Sequence, residues 1–195
     1  MNPVAERADL LSYDGQATIF AEALPVHLAD RSFADLHAAT AWRQEIARVM
    51  GRAVPLPRLT AWYGEAGYIY SGIRHEPRPW TPILLDLKAI AEALAGQPFN
   101  SVLLNLYRDG RDSVSWHADD EPGLGPEPMI ASLSLGAARR FLLRHRRTRE
   151  RVEVVLGHGS CLVMSGAVQH HWQHQVPKTA RPVGPRINLT FRRMR

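Results

Sequence analysis

The chain predicts an α+β fold, mainly β, with helices in its first half and an all-β barrel or two-sheet sandwich in its second. Three observations carry this. Apolar residues in "TPILLDLKAIAEALAGQ" recur at helical spacing. After Phe99 the pattern changes to short apolar or alternating runs at regular intervals, with Gly, Pro and Asp between them. No repeat, low-complexity tract or linker divides the chain, and 195 residues suffice for one well-filled domain. Residues 1–195 are therefore expected to form a single unit. About 1–98 make an N-terminal extension and about 99–195 the β core.

In chain order, "DRSFADLHAATAWRQE" opens with helix-start signals near Asp30 and Ser32. The second helix is the clearest element. Thr81 offers the capping oxygen, Pro82 sits at the first turn, and Gly96 ends it. Ile83, Leu84, Leu87, Ile90, Ala91 and Leu94 form its apolar stripe, which is expected to pack outside one sheet. "NSVLLNLYR", "MIASLSLG", "RRFLLRH", "RVEVVL", "GSCLVMS" and "RINLTFRRM" follow as strands, while "RHEPRPW" and "DDEPGLGPEP" are loops.

Composition narrows the setting. No run of about 18 apolar residues occurs, so no membrane partner is expected. The first residues lack a signal-peptide pattern. The single cysteine, Cys161, excludes an internal disulfide and fits a reducing compartment. The expectation is an intracellular protein, cytoplasmic in a bacterium or nuclear in a eukaryote. The net charge is +5, and apart from Lys88 and Lys178 the cations are arginines. Arginine forks suit phosphates and carboxylates, so a nucleic-acid partner is compatible.

Two stretches carry chemistry. In "SVSWHADDEPG", His117 and Asp119 are two residues apart, which at a strand end points both side chains to one side. Imidazole plus carboxylate is half of a 2-His-1-carboxylate facial triad, the non-haem Fe(II) arrangement with open positions. The missing histidine must come from a distant strand, and "VQHHWQHQVPK" offers His170, His171 and His174. An H-x-D pair or a histidine cluster is commonplace alone. Support comes from "PRINLTFRR": as a strand, it places Arg186, Asn188, Thr190 and Arg192 on one face and Ile187, Leu189 and Phe191 on the other. One face is core, and the other can grip a dicarboxylate. Asn105 and Tyr107 in "NLYRDG" form a similar pair.

The H-x-D pair, a distant histidine and "PRINLTFR" resemble the AlkB family of Fe(II)/2-oxoglutarate dioxygenases, in particular the branch of animal homologues that repair alkylated DNA and RNA. "PRLTAWYGEAGYIYSG", "FNSVLLNLYRDGRDSVSWHADDEPGLG", "IASLSLGAARRFLLRH" and "WQHQVPK" extend the likeness from about Pro57 to Arg192. The resemblance implies a double-stranded β-helix, or jelly roll, with helices on one sheet and an N-terminal nucleotide-recognition lid. It implies His117, Asp119 and His174 as iron ligands. It also implies a 2-oxoglutarate pocket of Asn105, Tyr107, Arg186, Asn188, Thr190 and Arg192, with Arg186 on the far carboxylate. O2 is the further cosubstrate. His174 then shares a strand face with His170 and Trp172 if the segment is extended, and His171 points away.

The implied reaction is oxidative demethylation of bases such as 1-methyladenine or 3-methylcytosine, releasing formaldehyde, succinate and CO2. The methyl lies on the pairing edge, so the base must be flipped or single-stranded. By the same resemblance, Tyr68 and Tyr70 belong to the lid, with Tyr70 stacked on the base and Asp120 on its amino group. Met50, in "RVMGRAVPLPR", matches the place of an apolar wedge. Arg58, Arg139, Arg140 and Arg144 are candidates for the nucleic-acid backbone. A monomer acting on methylated DNA or RNA is expected. Two alternatives stand beside this: the same chemistry on a protein, lipid or small molecule, and a nucleic-acid-binding module with structural zinc. One cysteine weighs against the zinc module.

Overall fold

A computed structural model describes residues 7–49, 51–65, 68–70, 73–75 and 77–195, with only the backbone described at 48–49, 68–70 and 73–75. The first strands are β1 (Arg7–Asp9), β2 (Gln16–Phe20), β3 (Ile46–Val49), β4 (Arg52–Pro55) and β5 (Leu59–Gly64). Next come β6 (Tyr68–Tyr70), β7 (Ile73–His75), β8 (Ser101–Tyr107), β9 (Val114–His117) and β10 (Ile130–Gly136). The last are β11 (Arg139–His145), β12 (Arg151–Leu156), β13 (Cys161–Ser165), β14 (Trp172–Val176) and β15 (Arg186–Arg192). The helices are α1 (Val26–Ala39), α2 (Pro82–Ala95) and the single turn α3 (Val168–His171).

Two antiparallel sheets make the core. The larger has seven strands in the order β1-β2-β13-β10-β15-β8-β5, and the smaller has four in the order β12-β11-β14-β9. Both crossing strands and sheet order match a jelly roll. The pairs β3–β4 and β6–β7 stand apart as hairpins. Strands β1, β2 and β5, from the segment read as an extension, complete the large sheet.

The expected two faces of β15 are both present, and all seven of its residues are buried. Ile187, Leu189 and Phe191 pack in one apolar cluster with Leu84 and Leu87 of α2 and Leu36 of α1. Helices thus cover the outer face of the large sheet. A second cluster, with Phe141, Leu143, Leu162, Met164 and Trp172, fills one end of the space between the sheets. Arg186, Asn188, Thr190 and Arg192 line the cavity between the same sheets.

The clearest helix forms as its sequence dictates. The Thr81 hydroxyl accepts the Leu84 N–H at 3.4 Å, and Gly96 ends α2 with φ 71°. The first helix corrects the sequence expectation. It starts four residues before Asp30, behind Pro25, with no side-chain cap. Asp30 lies 3.2 Å from Nε2 of His158 instead, and Ser32 is buried within the helix. Asp30 therefore serves a tertiary contact, while the Ser32 hydroxyl is buried without a hydrogen-bond partner among the described residues.

Candidate active site

Strands β9 and β14 pair so that His117 and His174 stand directly opposite each other. Their ring centroids are 4.3 Å apart. The ladder therefore sets the spacing of two imidazoles. Asp119 lies just beyond the end of β9, and its Oδ1 is 3.8 Å from Nε2 of His117. One ligand atom from each of His117, Asp119 and His174 falls within 4.8 Å of the others. The Ser115 carbonyl, 2.8 Å from Nδ1 of His117, accepts that nitrogen's proton and turns Nε2 towards the cluster. The Phe141 ring lies along His174 at 5.3 Å.

The electrostatics suit a divalent ion. Burial and the neighbouring His117 hold His174 down at about 3, against an opposing pull from Asp119, so the ring is neutral. Burial alone would raise the Asp119 carboxyl. Arg192 beside it, with His174 and His117, outweighs burial and holds it at about 2. Arg192 Nη2 donates to Asp119 Oδ1 at 3.0 Å. A neutral imidazole and an ionised carboxylate are the forms a metal ligates. Nδ1 of His174 is buried without a hydrogen-bond partner among the described residues. The three side chains fit a facial triad.

A second cluster, Asp14, His145 and His171, has the same size and composition but a different chemistry. The Thr148 N–H donates to Nδ1 of His145 at 3.0 Å, which leaves the ring proton on Nε2. That nitrogen donates to Asp14 at 2.9 Å. Both ring nitrogens are occupied, so this cluster clasps the N-terminal loop to the β11–β12 turn. The Tyr13 hydroxyl strengthens the clasp by donating to Glu150 at 2.5 Å.

The triad opens on a cavity of about 230 Å³ between the sheets. Arg186, at the opposite end of β15 from Arg192, lies at its wall with its guanidinium carbon 5.2 Å from the centre of the Tyr107 ring. Burial lowers Arg186 to about 10, so it stays cationic at neutral pH. Its Nη2 donates to Ser134 Oγ at 2.8 Å. Its Nε and Nη1 are buried without a partner, and no carboxylate pairs with it among the described residues. A buried cation with free donors is costly unless an anion joins it. This end of the cavity fits a small carboxylate.

The remaining pocket residues are internally tied. Asn188 donates to Ser132 Oγ at 2.8 Å and to the Leu133 carbonyl at 3.1 Å, and accepts from the Thr190 hydroxyl at 3.1 Å. Arg58 donates through Nε to Asn105 Oδ1 at 2.8 Å and is itself buried. Placing Arg58 on the nucleic-acid backbone is thus corrected: the residue belongs to the cavity wall.

Three further expectations change. Arg139 is buried, with Nη2 donating to the carbonyls of Asp112 (2.8 Å) and Pro177 (2.7 Å), so it staples loops and does not face a phosphate. Arg140 is exposed but paired with Glu153 at 2.7 Å. Asp120 turns outward to Arg146 at 3.3 Å, because Asp119 turns inward, and Glu121 lines the cavity in its place. Arg144 alone of these arginines stands near the mouth, 4.3 Å over the ring of the cavity-lining Trp116. Tyr68 and Tyr70 lie on β6, with side chains outside the described residues, as is Met50 entirely.

The histidine stretch also departs from the extended reading. Val168–His171 is helical, so His170 is exposed and reaches the Pro126 carbonyl. Trp172 shares the inner face with His174, as expected. Gln169, Phe141 and Ser134 carry no sequence signal. The roles of Phe141 and Ser134 arise from strand pairing, and that of Gln169 from the helical turn before β14.

A family model described as the 2OG-Fe(II) oxygenase superfamily matches residues 16–192. The chain is 49% identical over 174 residues to the alpha-ketoglutarate-dependent dioxygenase alkB homolog 3 of Bos taurus, covering 84% of this chain and 61% of that protein. It is 42% identical over 157 residues to the DNA oxidative demethylase ALKBH2 of Homo sapiens, covering 75% of this chain and 60% of that protein. The chain thus spans about three-fifths of the length of these relatives. The structure of OsALKBH1 aligns with a TM-score of 0.67 at 15% identity, over 95% of this chain and 100% of that one, which is likeness of fold alone. Fe(II) and 2-oxoglutarate are the metal and cosubstrate that the family name carries, and they suit the triad and Arg186 respectively. The matched span runs from β2 to the end of β15 and takes in all these residues, and the chain belongs to the 2OG-Fe(II) oxygenase superfamily.

Proposed function

We propose that the chain is an oxidative demethylase of N-methylated nucleobases, of the 1-methyladenine and 3-methylcytosine type, in DNA or RNA. It acts in direct reversal of alkylation damage, as a monomer inside the cell. One observation carries the chemistry: a ligand-ready triad shares a cavity with Arg186, a buried cation whose free donors call for a carboxylate. The name of one relative, a DNA oxidative demethylase, supports the nucleic-acid substrate.

His117, Asp119 and His174 hold the iron. When bound, iron with 2-oxoglutarate and O2 supplies the oxidation of the N-methyl group, yielding formaldehyde, succinate and CO2. Arg186 grips the far carboxylate of 2-oxoglutarate, and Ser134 holds the guanidinium from behind. Tyr107 covers it, and Asn105, Asn188 and Thr190 shape the wall. Arg192, which the resemblance assigns to the 2-oxoglutarate pocket, also pairs through Nη2 with Asp119 and orients that ligand.

The methylated base enters at the mouth. Its positive charge is drawn by Glu121, a carboxylate that lines the cavity beside the ligand Asp119. The family resemblance of their segment assigns Tyr68 and Tyr70 to the lid over the flipped base. Outside the mouth, Arg144 faces Arg151 directly across the β11–β12 ladder. Opposed like charges destabilise a sheet, and a bound phosphate relieves them.

The test compares formaldehyde release from methylated single-stranded DNA, duplex DNA, RNA and free nucleosides, with Fe(II) and 2-oxoglutarate present. Release from a polynucleotide in excess of a free nucleoside supports the reading. Turnover of 2-oxoglutarate with no formaldehyde from any of the four moves the substrate to a protein, lipid or small molecule.

A further inference from the structure

The three ligands are not held alike. His117 and His174 oppose each other on paired strands, so the sheet fixes their separation. Asp119 lies past the end of β9 and before the turn at Pro122–Leu124, where no ladder holds it. Its carboxylate is gripped by Arg192. Its backbone N–H donates to the side-chain oxygen of Gln169 at 2.9 Å.

Gln169 is 0% exposed and sits in α3, the turn that leads into the strand of His174. Its amide nitrogen points to the Met164 sulfur at 3.8 Å. The orientation is chemically forced, because a backbone N–H must face the amide oxygen. We propose that Gln169 is a positioning residue: it ties the off-ladder ligand Asp119 to the element carrying His174, and so sets the geometry in which all three ligands meet one metal ion. This rests on the reading of the triad as the metal site.

Breaking the tether leaves a buried N–H unpaired and frees the loop to move the carboxylate. Partners of metal ligands typically change affinity by about 10–100-fold when removed. The experiment titrates Mn(II) into the metal-free protein and follows the electron paramagnetic resonance signal of free Mn(II). The variants are Gln169→Leu and Gln169→Met, which lack the oxygen, and Gln169→Glu, which keeps an acceptor oxygen in either protonation state. Asp119→Ala and the remote core variant Leu87→Ala serve as controls, with melting curves for each.

Gln169→Leu and Gln169→Met should bind Mn(II) about 10–100-fold more weakly than wild type. Gln169→Glu should recover most of that loss. Leu87→Ala, though less stable, should bind as wild type does. Should Gln169→Leu fail to fold, Gln169→Met carries the same comparison. Equal affinity in wild type and the Leu or Met variant overturns the inference, as does an equal loss in Gln169→Glu or Leu87→Ala. If wild type and Asp119→Ala bind alike, the metal site itself is misassigned, a separate failure.

Discussion

Replacing Arg186 by leucine should separate stability from function. In the metal-free protein Arg186 donates a hydrogen bond to Ser134, while Nε and Nη1 are buried without partners. Losing the charge-assisted Ser134 bond costs about 1.5–3 kcal/mol. Removing a buried charge that no carboxylate pairs returns several kcal/mol of desolvation cost, less the lost contact with the Tyr107 ring. The two nearly cancel, so the metal-free variant should melt within a few degrees of wild type, at about 2–4 °C per kcal/mol for a chain of this size. Binding of 2-oxoglutarate should change far more. Two charge-assisted hydrogen bonds are worth about 1.5–3 kcal/mol each, so affinity should fall by at least about a hundredfold. Calorimetry of the metal-free protein and titration of 2-oxoglutarate into the Mn(II)-loaded protein measure the two effects. A melting point several degrees lower with affinity retained would refute the reasoning, because Arg186 would then be holding the fold and not the cosubstrate.

His174→Ala should abolish turnover, while His171→Ala should leave most of it, since His171 belongs to the Asp14 clasp; steady-state formaldehyde assays decide between them. Burial pushes the Cys161 thiol up to about 12, so the reactive thiolate is scarce at neutral pH; a thiol reagent should label it only after denaturant is added. Rapid labelling of the folded protein would contradict that. Arg144→Ala with Arg151→Ala should weaken binding of an unmethylated oligonucleotide and make its salt dependence shallower, by roughly one unit of slope for each phosphate no longer neutralised, measured by fluorescence anisotropy.

The fold is legible where one physical demand dominates. The α2 cap, proline and terminal glycine all point the same way, and β15 alternates cleanly between an apolar and a polar face. The start of α1 is not legible, because Asp30 and Ser32 imitate a cap, although Asp30 pairs with His158 and Ser32 is buried within the helix. The H-x-D pair announces itself by spacing, and the family resemblance of "WQHQVP" picks His174 over His170, a choice whose physical reason is the pairing of β9 with β14. Burial of Arg58 and Arg139, and the outward turn of Asp120, depend on contacts between segments far apart in sequence. No local pattern encodes them. The link from Gln169 to Asp119 spans fifty residues and is of the same kind.

The central claim is that the triad drives removal of a methyl group from a nucleobase. The most direct measurement is the intact mass of a 1-methyladenine oligonucleotide after incubation with Fe(II), 2-oxoglutarate and O2, using wild type and His117→Ala. Wild type should shift the mass to that of the unmethylated strand, with formaldehyde and succinate formed in step, and His117→Ala should leave the strand unchanged. Equal demethylation by the two proteins, or none by iron-loaded wild type, would contradict the claim.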